Sequence, residues 1–129
     1  MDAIELRVDP FPTDAELAPL WAAAWEHRGA FAYRHVLERS LCHAGAYSGE
    51  RLVGFVNVAW DGGIHAFLLD TTVHPDFRRR GIATRLVGVA TEEARHRGAQ
   101  WLHVDFEPHL AGFYRDCGFR PTLAGLIRL

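Results

Sequence analysis

Val73-His74-Pro75-Asp76-Phe77-Arg78-Arg79-Arg80-Gly81-Ile82-Ala83-Thr84 joins a β-rich run to an amphipathic helical pattern. Three consecutive arginines and two small residues stand where that helix should begin. The first turn of a helix has N–H groups without intrahelical partners, and the macrodipole is positive there. An anion at such a place gains about 0.3–1 kcal/mol from the dipole, and about 2 kcal/mol when partly buried. Direct N–H hydrogen bonds add to that. Gly81 and Ala83 leave room for a phosphate to approach the backbone. Thr84 adds a hydroxyl, and Arg78, Arg79 and Arg80 add longer-range attraction. On charge alone, the same residues also describe a solvated arginine loop before an ordinary helix. The P-loop pattern is excluded, because the chain has no Lys, and Gly-x-Gly-x-x-Gly is absent here as well.

Asp70 is the second residue of chemical interest. It ends the otherwise apolar run Ala66-Phe67-Leu68-Leu69, and a carboxylate there has no easy structural reason. It is either a working base or a strand-end residue, exposed or paired with an arginine. His65 and His103 could titrate near neutrality but read as structural or surface residues. The 8 histidines show no metal-ligand spacing, and Cys42 and Cys117 form no CxxC pair, so no metal is expected.

The elements that must position these residues follow from periodicity. Ile4, Leu6 and Val8 alternate as a first strand over 3–8. Thr13-Asp14-Ala15-Glu16 reads as a capping box opening a helix with Leu17, Leu20, Trp21, Ala24 and Trp25 at helical spacing, ended by Gly29. A weaker helix is expected over 30–39. Residues 42–48 and 51–60 read as two strands joined by a short turn at Ser48-Gly49-Glu50, hence an antiparallel hairpin. Asp61-Gly62-Gly63 turns into a third strand over 64–73. The helix after the arginines runs to about Arg97, with Ile82, Leu86, Val89, Ala90 and Glu93/Ala94 as its inner stripe. Arg95, Arg97 and Gly98 form its stop signal. Trp101 to Phe106 reads as a strand and Leu110 to Asp116 as a short helix. Phe119 to Leu129 reads as a tail with one or two short strands. The order β-α-α-β-β-β-α-β-α-β implies an α/β fold, with a mixed sheet flanked by helices.

At 129 residues, one domain over 1–129 is expected. Hydrophobic residues make up 49% and charged residues 23%, as in an ordinary soluble protein. A formal charge of −2 argues against binding nucleic acid through bulk electrostatics. No signal peptide is read at Met1-Asp2-Ala3-Ile4-Glu5. The longest apolar run, near Leu17 to Trp25, is about half a membrane span. A cytoplasmic protein with free thiols and no membrane association is expected.

Two stretches together carry a family resemblance. Val73 to Ala83 resembles the acetyl-CoA motif of the GNAT acetyltransferase superfamily: a Val-x-Pro near a strand end, then Arg/Gln-x-x-Gly-x-Gly/Ala, with Arg78, Gly81 and Ala83 at the fixed positions. Phe113-Tyr114-Arg115-Asp116-Cys117-Gly118-Phe119 resembles the family's aromatic-Tyr-x-x-x-Gly-Phe signature. The resemblance is close over about 64–119 and topological over 1–63. It implies a GNAT-like acyl-CoA N-acyltransferase fold with a mixed, mostly antiparallel central sheet. It further implies that the backbone from Arg79 to Thr84, Ile82 included, holds the CoA pyrophosphate. Pantetheine would lie where the strand ending at Val73 splays from the next, pairing with backbone near Thr71 and Val73. A main-chain N–H near Val73 would polarise the acetyl carbonyl. Tyr114 would protonate or hydrogen-bond the leaving thiolate.

The implied activity is N-acetyl transfer from acetyl-CoA to a primary amine of a small molecule, by direct attack in a ternary complex. An amine of pKa near 10.4 requires roughly 4–5 kcal/mol to become neutral at pH 7, so a base is needed. Asp70 is the first choice, with Asp105 and Glu107 as competitors. The acceptor side is expected to draw on Trp25, Glu26, His27 and Glu107. A non-catalytic acyl-CoA-binding or sensor domain is the alternative, and an arginine-based nucleic-acid module is a third reading. The family often completes its sheet with a longer terminal hairpin than Arg120 to Leu129 can supply. A partner chain could cover that edge, giving a homodimer.

Overall fold

The computed structural model describes residues 3–25 and 32–129. Its elements are β1 (Ile4–Val8), α1 (Asp14–Ala24), α2 (Arg34–Leu37), β2 (Ser40–Ser48), β3 (Arg51–Trp60), β4 (His65–Val73), α3 (Ile82–His96), β5 (Trp101–His103) and α4 (Ala111–Asp116). Short 3₁₀ turns at Pro75–Phe77 and Pro108–Leu110 precede α3 and α4. The strands form one sheet in the order β1-β2-β3-β4-β5. The first three pairings are antiparallel and β4–β5 is parallel, the mixed sheet that the element order implied.

Local chemistry explains the boundaries. The capping box forms: Thr13 Oγ1 accepts from the Glu16 N–H at 3.1 Å, and Glu16 Oε1 accepts from the Thr13 N–H at 3.1 Å. That satisfies two of the orphan donors at the start of α1. The hairpin turns at Ser48-Gly49-Glu50 and registers Ser48 against Arg51. Leu41–Tyr47 and Leu52–Val58 are buried along their whole length, because helices cover both faces of the central strands. On one face α3 lays Ile82, Leu86, Val87, Ala90 and Ala94 over Ala44, Val56 and Ala66. Its approach is close: a Cβ on Gly54 would meet Leu86 Cδ1 at 3.0 Å and Ile82 Cγ2 at 3.2 Å. On the other face Leu17, Leu20 and Trp21 of α1 join Tyr33 and Leu37 over Tyr47, Leu52 and Phe55. At the far end of α3, Arg97 pairs with Asp9 at 2.7 Å and donates to the Leu41 carbonyl at 2.7 Å, tying that helix to the first two strands.

Three details differ from the expectations. The second helix spans only Arg34–Leu37 among the described residues. The last strand stops at His103 rather than Phe106. The tail after Phe119 has no strand: Leu123, Leu126, Ile127 and Leu129 are fully or nearly fully exposed, so nothing apolar holds it in place. No described helix is long and apolar enough to cross a membrane.

Candidate functional site

The site is built by two irregularities of β4. The first is a bulge. Phe55 pairs with Thr72 and Asn57 with Leu69, so the single residue Val56 stands opposite both Asp70 and Thr71. Asp70 supplies the extra residue with a left-handed φ of 59°, a backbone state found in one class of bulge. In a non-glycine residue this costs roughly 1–2 kcal/mol. Local bonds offset it: the Tyr33 hydroxyl donates to Asp70 Oδ2 at 2.6 Å, and Thr72 Oγ1 donates to the Asp70 carbonyl at 2.8 Å. Trp25 Nε1–H donates to Thr72 Oγ1 at 3.0 Å, so both flanks of the α1–α2 connection are tied to the bulge.

The second irregularity is a splay. The parallel pairing ends at Phe67 with His103, yet β4 runs on to Val73. Over 68–73 its outer edge has no strand partner among the described residues. The space beside that edge is a cleft of about 440 Å³, within the usual range for ligand sites. One wall is Thr71, Thr72 and Val73; the opposite wall is Leu110, Phe113 and Tyr114 from α4 and the turn before it. Ala24 and Trp25 close one end, while Arg78 and Ala83 line it toward the start of α3.

That start combines positive charge with a backbone geometry suited to an anion. Gly81 is the N-cap of α3, with φ 74° and no side-chain cap bond. Arg79 is also left-handed, at φ 63°. Left-handed residues interleaved with ordinary ones turn successive N–H groups into one concavity. The need for glycine at 81 is conformational rather than spatial, since an added Cβ there would meet nothing within 4 Å. Ile82 buries its side chain in the core, so only its backbone can serve a ligand. The three arginines divide their roles. Arg78 lines the cleft, Arg80 lies over the Phe77 ring at 4.9 Å, and Arg79 and the hydroxyl-bearing Thr84 are exposed.

Tyr114 is buried and held in an aromatic cage. Phe106 stacks on its ring at 4.8 Å, while Phe113 and Phe119 meet it edge-on at 4.9 and 5.8 Å. Burial raises its pKa above 10.0, opposed by the influence of the nearby Thr71 side chain. The phenol therefore stays protonated at neutral pH and can donate. Burial raises the Cys117 thiol above 9.0, which keeps it protonated and a poor nucleophile.

Asp70 does not line the cleft. Its carboxylate lies on the α1–α2 side of the sheet against Tyr33, one residue from Thr71 in the cleft wall. Of the expected acceptor-side residues, Trp25 lines the cleft, whereas Glu107 is exposed and outside it, as is Asp105, the other competitor for the base. Glu26 and His27 lie outside the described residues. His65 and His103 contact each other at 2.8 Å between Nδ1 and Nε2. Among the described residues, no three His, Cys, Asp or Glu side chains group to hold a metal. The spacing gave no signal for Tyr33 as the partner of Asp70, 37 residues away, or for His109 in the cleft lining.

Comparison with known proteins agrees with this geometry. A family model described as the acetyltransferase (GNAT) family matches residues 2–119. An uncharacterized N-acetyltransferase, ycf52, of Porphyra purpurea is 32% identical over 72 residues, covering 56% of this chain and 41% of the relative. The chain thus aligns with about two fifths of that relative's length. The GNAT family protein SP0256 of Streptococcus pneumoniae superposes with a TM-score of 0.84 at 23% identity, covering 98% of each chain. The aminoglycoside N-acetyltransferase AAC(6')-Iy, solved in complex with CoA, gives a TM-score of 0.77 at 18% identity, covering 100% of this chain and 95% of that one. With the mixed sheet, the splayed β4 edge and a family match over most of its length, the chain belongs to the acetyltransferase (GNAT) family.

Proposed function

We propose that the protein transfers an acetyl group from acetyl-CoA to a primary amine by direct attack. One observation carries this reading: the anion-binding start of α3, the unpaired edge of β4 and the Tyr114 phenol meet in one cleft. The residues fit such a donor. The N–H groups from Arg79 to Thr84 and the Arg78 guanidinium suit a pyrophosphate. The β4 edge at Thr71 and Val73 suits an amide-bearing arm, which can bond to it as an added strand would. The thioester supplies an activated acyl carbon, and a similarly folded enzyme was solved with CoA bound.

Asp70, directly or through one water, takes a proton from the ammonium form of the acceptor. The neutral nitrogen forms a C–N bond to the acetyl carbon while the C–S bond breaks, its electron pair going to sulfur. The nitrogen then loses its extra proton and the sulfur gains one, so the net reaction gives amide, free thiol and one proton. The Val73 region supplies main-chain hydrogen bonding to the acyl oxygen. Tyr114 hydrogen-bonds the departing sulfur. A phenol above 10 would lose roughly 2 kcal/mol in passing its proton fully to a thiolate of pKa about 8.5. Tyr114 therefore stabilises the thiolate by donation, and solvent completes the protonation.

The position of Asp70 outside the cleft lining favours one rival, a domain that binds acyl-CoA without catalysis. Thiol release from acetyl-CoA over a panel of primary amines separates the two. Amine-dependent release is expected; CoA binding with no release from any amine supports the rival.

A further inference from the structure

The sheet face that carries the Asp70 carboxylate continues beyond the helices that cover it. Residues paired directly across strands share a face. Asn57 pairs with Leu69, and Phe67 pairs with both Ala59 and His103. By alternation, His65 and Trp101 join the same face. Among the described residues, Trp21 and Tyr33 pack over this face at Tyr47, Leu52 and Phe55, with ring centroids 5.8 and 5.7 Å from Phe55. Past that point Leu69 and Phe67 are each 39% exposed and Trp101 is 53% exposed. These side chains are organised rather than loose: Phe67 stacks on His103 at 4.8 Å with planes 20° apart, and His103 contacts His65 at 2.8 Å.

The charge along this track is graded. At its head stands Asp70, held by Tyr33 at 2.6 Å. Its middle carries apolar and imidazole surface. At its far edge the Arg120 guanidinium lies over the Trp101 ring at 6.0 Å. From Asp70 to Phe67 is about 10 Å of strand, at about 3.3 Å per residue.

We infer that this track is the acceptor's binding surface, and that the acceptor is a monoamine joined by a short chain to a flat, uncharged ring. The inference rests on the acetyl-transfer reading, and it names the substrate class of that site. Asp70 draws the amine to the head of the track, adjacent to Thr71 in the donor cleft. The Phe67–His103 stack offers a flat platform for the ring, as aromatic faces do for one another. A polycationic acceptor is disfavoured, because the track ends at the Arg120 guanidinium.

The test is calorimetric binding of phenethylamine, n-butylamine and tobramycin to the CoA-saturated protein, with thiol release from acetyl-CoA read in parallel. Phenethylamine should bind about tenfold more tightly than n-butylamine, a ring–ring contact of ordinary strength, and also more tightly than tobramycin. Phe67→Ala should abolish the preference over n-butylamine. Phe67→Leu, which keeps an apolar side chain, should reduce it and carries the test if the alanine variant is unstable. Equal binding of phenethylamine and n-butylamine, tighter binding of tobramycin, or a preference that survives both variants overturns the inference. So does a dimer that Phe67→Ala dissociates without changing amine binding, since the face is then a subunit contact. Transfer without ring preference refutes this inference alone. Ring-selective binding without transfer to any amine refutes the acetyl-transfer reading instead.

Discussion

Replacing Tyr114 with Phe removes one oxygen from the cleft and leaves the ring. The cage of Phe106, Phe113 and Phe119 does not depend on the hydroxyl, so the ring keeps its place. The hydroxyl shares the cleft lining with Thr71 on the β4 wall. In the reaction it would face a sulfur that becomes negative only as the C–S bond breaks. A hydrogen bond to a charged group contributes about 1.5–3 kcal/mol, and every 1.4 kcal/mol is about tenfold. Tyr114→Phe should therefore lower kcat roughly 10- to 150-fold. The affinity for acetyl-CoA should move less than about threefold, because the thioester ground state carries no such charge. Steady-state thiol release gives kcat, and calorimetry gives the binding constant. A fall in kcat below about threefold, or an equal loss in both quantities, would refute the assignment of Tyr114 to the leaving group.

Three further outcomes are expected. Gly81→Ala should destabilise the protein by about 1–2 kcal/mol through its left-handed φ and weaken CoA binding, read by urea unfolding and calorimetry; an unchanged unfolding midpoint contradicts this. Arg78→Ala should weaken CoA binding about tenfold, as loss of a charge-assisted contact does. Arg80→Ala, at a residue engaged with Phe77, should do less, and the reverse order in Kd contradicts the division of roles. His43 is buried and accepts from the Phe11 N–H at 3.0 Å. Its pKa is lowered from 6.5, mainly by that burial and against the pull of Asp9. The unfolded chain then binds more protons than the folded one below about pH 6.5, so the His43 contribution is complete above that pH and declines below it. The urea midpoint should fall between pH 7.5 and 5.5, and a midpoint that holds or rises contradicts this.

Features carried by local pattern were legible in the sequence. Thr13 and Glu16 three residues apart announce a capping box, and the structure contains it. The spacing of Ile82, Leu86, Ala90 and Ala94 marks the buried stripe of α3. Its limit shows at Val87, which is buried where Val89 was expected and is only half-buried: a helix pressed against a wide sheet buries more than one stripe. The arginine–glycine loop at the start of α3 was legible because arginines, a glycine and a helix start adjoin in the chain. The bulge at Asp70 was not, since nothing local requires an aspartate to turn left-handed. Its support comes from Tyr33, a contact made only once α2 packs on the sheet. The same gap explains the shortened β5: propensity favoured Trp101 to Phe106, but the pairing ends at His103 with Phe67, and tertiary context prevailed.

The central claim is that one cleft, from the start of α3 to Tyr114, receives acetyl-CoA. Amide-resolved NMR titration of the ¹⁵N-labelled protein with acetyl-CoA tests it most directly. The account predicts that the largest shifts fall on Arg79 to Thr84, on Thr71 to Val73 and on Phe113 and Tyr114. Shifts confined to other surfaces, or none at millimolar ligand, would contradict it.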